Sequence, residues 1–163
     1  NAVIASLGRL GKFKDAWQIV HLTGRGNYYK VKAGYEQVGC EIRYKLLDYF
    51  DDMAGLYAAA DLVIGRAGAV SIAEFAAAGL GVICLPYPYH KDKHQYLNAG
   101  KLVTAGAAII VDDRPNAPAK TAKDLADNLE EIMADEEKLK KMAAAAKGIA
   151  KVDAAEKIAK KII

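Results

Sequence analysis

The sequence predicts an α/β fold: a doubly wound, mostly parallel sheet with helices on both faces and a helical carboxy-terminal tail. Three observations predict it. Short apolar runs such as Ile19-Val20-His21-Leu22, Leu62-Val63-Ile64 and Val82-Ile83-Cys84-Leu85 alternate with segments of helical period. The connections are short, as in repeated strand–helix–strand units. After Lys120, alanine and lysine with interleaved acids replace the strand-type runs, the pattern of solvated helices.

Each element follows from its local residues. The chain opens on a helix, with Val3, Ile4, Leu7 and Leu10 on one stripe. Residues 19–22 read as a strand after Trp17. A helix over 28–38 stops at Gly39, a residue that accepts the left-handed turn closing a helix. A strand over 41–46 follows, then a helix over 51–60 with Asp51 or Asp52 near its N-cap. Next come a strand over 61–64, a helix over 70–78 and a strand over 82–85. A helix over 94–105 and a strand over 108–111 complete the alternation. The loop 113–118, with two prolines, leads to two or three closing helices from Thr121, with Gly148 as the expected break.

Composition narrows the function. A length of 163 residues suits one domain, 1–163, with a single sizeable core. A net charge of +3, with no clustered basic groove, gives no argument for a nucleic-acid partner. The two cysteines, Cys40 and Cys84, form neither a disulfide framework nor a zinc motif, which points to a reducing, cytoplasmic setting. No apolar run approaches a membrane span, and no signal peptide is present.

The most informative run is Arg66-Ala67-Gly68-Ala69-Val70-Ser71-Ile72-Ala73-Glu74. It leaves a strand and opens a helix through small residues, so a ligand can approach the backbone. The first N–H groups of a helix lack internal partners, and together with the helix dipole they favour a phosphate. Gly68, Ala69, Val70 and Ser71 are the expected platform, the Ser71 hydroxyl adding a donor. Plain strand-to-helix punctuation, with Ser71 as a cap, is the competing explanation. Glu74, about one turn in, is placed to accept ribose hydroxyls; an ordinary exposed helix carboxylate is the alternative. The next strand ends in Pro86-Tyr87-Pro88-Tyr89, and a polar stretch follows through Asn98. Two polar loops at the carboxyl ends of neighbouring parallel strands describe a nucleotide crevice.

These residues carry a family resemblance. Residues 66–108, RAGAVSIAEFAAAGLGVICLPYPYHKDKHQYLNAGKLVTAGAA, resemble the donor-binding half of the MurG family, the UDP-N-acetylglucosamine transferases that complete lipid II in peptidoglycan synthesis. Residues 48–61 and His21-Leu22-Thr23-Gly24-Arg25-Gly26 are similar too, so the likeness spans nearly the whole chain. It implies a Rossmann-like half of an inverting GT-B glycosyltransferase that uses UDP-GlcNAc as donor, with no metal and no separate cofactor. It also implies a cytoplasmic protein, peripheral on the inner face of the cell membrane. An acceptor-binding domain or second chain would supply the lipid I site.

The resemblance assigns further roles. The backbone beside Phe50 would pair with the uracil edge and Met53 would help cover the base; a hydrophobic staple at the helix entry is the alternative, and the two can coexist. His94 and Gln95 would contact the sugar hydroxyls, although family members vary between Gln and His at the first of these. Glu74 would hold the ribose. Asn98 is expected to support or cap rather than to bind. Arg66 either meets phosphate or braces the loop from outside. Arg25 reads as a solvated residue and His21 as a strand-end residue with a satisfied hydrogen bond. Asp51 and Asp52 suit a helix start rather than a metal pair.

No catalytic residue is assigned. The family's donor domain opens on a strand and a glycine-serine loop that touches the diphosphate, whereas this sequence begins at Asn1, just beyond it. The acceptor domain, which holds the family's proposed base, has no counterpart here. The expectation is a truncated or engineered donor half, inactive in transfer by itself. A noncatalytic nucleotide-sugar-binding module, a scaffold with inherited motifs, and another GT-B enzyme (a glycolipid glycosyltransferase or UDP-GlcNAc epimerase) stay open at this point.

Overall fold

The computed structural model describes residues 2–89 and 91–162; His90, which the sequence places in the loop before Gln95, lies outside the described residues. The elements run α1 (Ala2–Leu7), a 3-10 turn (Gly11–Phe13), β1 (Gln18–Leu22), α2 (Tyr28–Gln37), β2 (Arg43–Leu47), α3 (Met53–Ala58) and β3 (Leu62–Gly65). They continue with α4 (Ala69–Ala78), β4 (Gly81–Cys84), α5 (His94–Ala105), β5 (Ala108–Ile110), α6 (Pro118–Ala134), α7 (Glu136–Ile149) and α8 (Ala154–Ile162). All strand pairings are parallel, in the ladders β1–β2 and β3–β4–β5. The strands thus form two ladders rather than one continuous hydrogen-bonded sheet. The α/β class and the helical tail stand as the sequence predicts.

The chain gathers into two compact units, Asn1–Met53 with Asp113–Glu136, and Ala54–Asp112 with Glu137–Ile163. In the first unit α1 packs on α6, and α6 presents Ala122, Leu125, Ala126, Leu129 and Ile132 as a buried stripe at helical spacing. Leu10 is buried although α1 stops at Leu7, because the chain turns before it and still directs that side chain inward. In β1, Gln18, Val20 and Leu22 are exposed while Ile19 and His21 are half-buried, the alternation of a strand with one covered face.

The second unit holds the most buried strand. Every residue of β4 is buried; successive side chains point to opposite faces, so both faces are covered there. Val82, Cys84, Phe75, Ala76, Ala99, Leu102 and Ala146 form one cluster. Full burial of a Val or Ile side chain contributes roughly 1.5–3 kcal/mol, so β4 anchors this unit. Cys84 acts as a small apolar residue: burial pushes its thiol up to about 11. Phe75 stands edge-on to Tyr57, with ring centroids 5.6 Å apart at 90°. The Phe75 ring also lies on Gly65, where a Cβ would meet its Cζ at 3.5 Å.

Helix α4 ends at Gly79, whose φ of 71° closes the helix with N–H bonds to the carbonyls of Ala76 and Phe75. A side chain there would be strained by the backbone and would overlap the Lys147 stem. Gly148 does not break the tail: it lies within α7, and the interruption falls after Ile149. A single glycine costs only about 1 kcal/mol in a helix, and the alanines before it sustain the turn.

Candidate functional site

In the second unit, β3 and β4 run parallel, so the loops that follow them leave from the same carboxyl edge. The β3 loop delivers Gly68 to the start of α4, and the β4 loop delivers His94 and Gln95 to the start of α5.

Gly68 is the N-cap of α4 in an extended conformation, φ −65° and ψ 147°, and its carbonyl accepts from the Ile72 N–H at 2.9 Å. The N–H groups of Ala69, Val70 and Ser71 therefore precede the first internal helix bond. Gly68 takes the N-cap position, so Ser71 lies inside the first turn of α4 and is not its N-cap. Ala69 and Val70 are exposed; Gly68 and Ser71 are half-buried. The fold does not itself require glycine at 68. Its φ is ordinary, and a Cβ there would meet only the Ser71 Oγ, at 3.8 Å. The bare backbone keeps the approach to the three amides open.

Glu74 is exposed on α4, and its Oε2 accepts from the Tyr57 hydroxyl at 3.1 Å. Burial, and then the bond to Glu74, raise the Tyr57 phenol, so it remains a donor. A carboxylate has about four acceptor positions, and one bond to Tyr57 orients the group without exhausting it. Tyr57 is a residue that sequence reasoning missed. It lies 17 positions away on another helix, and only the packing of Tyr57 against Phe75 brings it to Glu74.

The loop after β4 is braced by Arg66. Its Nη1 donates to the Leu85 carbonyl at 2.8 Å and to that of Pro86 at 3.3 Å, and its guanidinium lies 5.7 Å from the Tyr87 ring centroid. Of the two roles open to Arg66, these bonds show the brace. Gln95 Oε1 accepts from the Tyr87 N–H at 2.8 Å, which leaves the amide nitrogen as its donating end. His94 Nδ1 lies 2.8 Å from Asp92 Oδ1. Asn98 Nδ2 donates to the carbonyl of buried Ala67 at 3.1 Å, tying α5 to the loop that precedes α4. This is the supporting role expected of Asn98.

In the first unit, Phe50 follows β2 and Met53 opens α3; Phe50 is exposed and Met53 half-buried. Beside them the Arg25 guanidinium lies 5.0 Å from the Tyr49 ring centroid, and the Thr23 N–H bonds the Leu47 carbonyl at 2.8 Å, joining the carboxyl ends of β1 and β2. His21 meets the Tyr35 hydroxyl at 3.0 Å, and burial holds its imidazole below the usual histidine range. It is a neutral, bonded strand residue, as the sequence suggests. A shallow recess of about 170 Å³ lined by Lys14, Asp15, Ala16, Trp17, Gln18 and Arg43 opens at the amino ends of β1 and β2, away from Phe50 and Met53. Among the described residues no cluster of three or more His, Cys, Asp or Glu side chains is placed to hold a metal. No described helix is long and apolar enough to cross a membrane.

Residues 1–161 match the family model for the glycosyltransferase family 28 C-terminal domain. The chain belongs to that family. It is 39% identical over 155 residues to the UDP-N-acetylglucosamine–N-acetylmuramyl-(pentapeptide) pyrophosphoryl-undecaprenol N-acetylglucosamine transferase of Halothermothrix orenii, covering 93% of this chain and 41% of that protein. It is 40% identical over 139 residues to the enzyme of the same name from Shewanella amazonensis, covering 85% of this chain and 38% of that one. The crystal structure of Acinetobacter baumannii MurG superposes with a TM-score of 0.84 at 28% identity, over 99% of this chain and 45% of that one. WaaG, a glycosyltransferase of lipopolysaccharide biosynthesis, shares the fold at a TM-score of 0.66 and 19% identity. The family 28 chain described here thus spans about two fifths of the length of these transferases.

Proposed function

We propose that this chain is the donor half of an inverting GT-B glycosyltransferase and binds UDP-N-acetylglucosamine for lipid II synthesis. The observation that carries the reading is the start of α4, where the Ala69, Val70 and Ser71 amides follow a glycine that the fold does not require. Such an end accepts a diphosphate through backbone N–H groups and the helix dipole. Glu74 takes the ribose hydroxyls. Phe50, through its backbone, and Met53 take the uracil. His94 and Gln95 take the sugar. The name of the transferases it resembles supports the choice of donor and acceptor.

In the complete enzyme the muramyl 4-hydroxyl of lipid I attacks the anomeric carbon of GlcNAc, and UDP departs from the opposite face. The α4 amides stabilise the charge that develops on the leaving diphosphate. His94 and Gln95 hold the sugar in line for attack. The acceptor hydroxyl and its base come from an acceptor-binding domain or a second chain, working at the inner face of the cell membrane. This chain contributes binding and orientation, and no catalytic base.

Calorimetric titration with UDP, UDP-GlcNAc, ADP and GDP tests the reading. UDP and UDP-GlcNAc are expected to bind about tenfold tighter than the purine nucleotides, the worth of one or two hydrogen bonds to the uracil edge. Equal affinities for all the nucleoside diphosphates, or no binding by any of them, would contradict it.

A further inference from the structure

Lys93 is the single non-glycine residue with positive φ among the described residues, at φ 50° and ψ 26°. A side chain in that region is strained and persists only where its surroundings hold it. The residues on either side of Lys93 explain what the turn accomplishes. It folds Asp92 back so that its Oδ1 lies 3.2 Å from the His94 backbone nitrogen and 2.8 Å from His94 Nδ1. The Lys93 carbonyl then accepts from the Tyr96 and Leu97 N–H groups at 2.9 and 3.2 Å, which starts α5. One left-handed residue thus sets the helix start and the carboxylate together.

The chemistry of the pair decides the histidine's tautomer. An ionised carboxylate only accepts hydrogen bonds, so Nδ1 must carry the proton. In the neutral ring Nε2 then holds the lone pair. Gln95 is fixed in the complementary sense, since its Oε1 takes the Tyr87 N–H and its amide nitrogen is left to donate. Adjacent residues are thereby set as an acceptor and a donor, which suits a ligand carrying hydroxyl and carbonyl groups. The side chains of His94 and Asp92 are 44% and 71% exposed, so the pair adds little to stability and its effect is on orientation.

We propose that Asp92 is a positioning residue: from the left-handed turn at Lys93 it holds His94 as the Nδ1–H tautomer and so orients it to accept from a hydroxyl of the donor sugar. The proposal rests on the reading of the chain as a UDP-GlcNAc-binding half.

Two measurements test it. Nitrogen-15 NMR of the imidazole reads the tautomer without any ligand. The wild-type chain shows Nδ1 protonated, Asp92→Ala shows a mixture of forms, and Asp92→Asn, which keeps an acceptor oxygen, retains most of the Nδ1–H form. Calorimetry with UDP and UDP-GlcNAc reads the consequence. Asp92→Ala weakens UDP-GlcNAc about two- to tenfold, the worth of one oriented hydrogen bond, and leaves UDP unchanged. In a His94→Ala background the same substitution has no further effect on UDP-GlcNAc, because Asp92 acts through the ring. An Nε2–H ring in the wild type overturns the proposal, as does equal weakening of both ligands or an undiminished preference for UDP-GlcNAc. A wild type that binds UDP-GlcNAc no better than UDP removes the sugar contact itself, and one that binds neither removes the donor-half reading; both overturn the proposal from above. A preference kept intact in Asp92→Ala removes Asp92 alone.

Discussion

Phe75→Ala is expected to cost about 3–5 kcal/mol, the usual range for a buried Phe truncated to Ala. Phe75 is 5% exposed, packs edge-on against Tyr57 and lies over Gly65. Removing the ring leaves a void between α4 and β3 and takes the support from Tyr57. Against a total stability of roughly 5–15 kcal/mol, that loss is a large fraction. Thermal melting followed by circular dichroism should show a midpoint lower by about 6–20 °C. A midpoint within about 2 °C of wild type would mean that this cluster does not hold α4.

Glu74→Ala, one residue earlier, is expected to do the opposite. Glu74 points outward while Phe75 points into the core, so the helix sets an exposed carboxylate beside a packed ring at adjacent positions. Its loss should leave the melting midpoint near wild type and weaken UDP by ~1–3 kcal/mol, the range for a hydrogen bond to a charged partner. Comparing UDP with 2′-deoxy-UDP on both proteins locates the effect. The wild type should prefer the ribose form, and Glu74→Ala should lose that preference. If the substitution weakens both nucleotides equally, Glu74 does not read the 2′-hydroxyl. An unchanged affinity with a lowered melting point would make its bond to Tyr57 purely structural.

Much of this architecture was legible in the residues. The apolar runs of β3 and β4 and the small-residue loop before α4 placed those elements to within a residue or so, and α5 has the predicted bounds. Local chemistry is enough for that, because strand period, helix period and left-handed glycine are all short-range signals. The division into two ladders was not legible, since sequence period marks a strand but not its neighbour. Nor was the turn at Lys93, because lysine carries no signal for positive φ. Tyr57 escaped for a related reason, as did the partner of Asn98: Glu74 and Ala67 lie 17 and 31 positions from them, so only tertiary packing identifies those residues as the ones they meet. Arg66 shows the same limit. Its sequence left a phosphate contact and a loop brace both open, and the structure gives its guanidinium to the carbonyls of the next strand's loop.

Backbone amide NMR on the isotopically labelled chain tests the central claim most directly, because the claim is about N–H groups. On titration with UDP, the Ala69, Val70 and Ser71 amide resonances should shift in a saturable way, and UDP-GlcNAc should add shifts at His94 and Gln95. Saturable shifts elsewhere in the chain with those three amides unmoved, or no shifts at any concentration of UDP, would contradict a diphosphate at the start of α4.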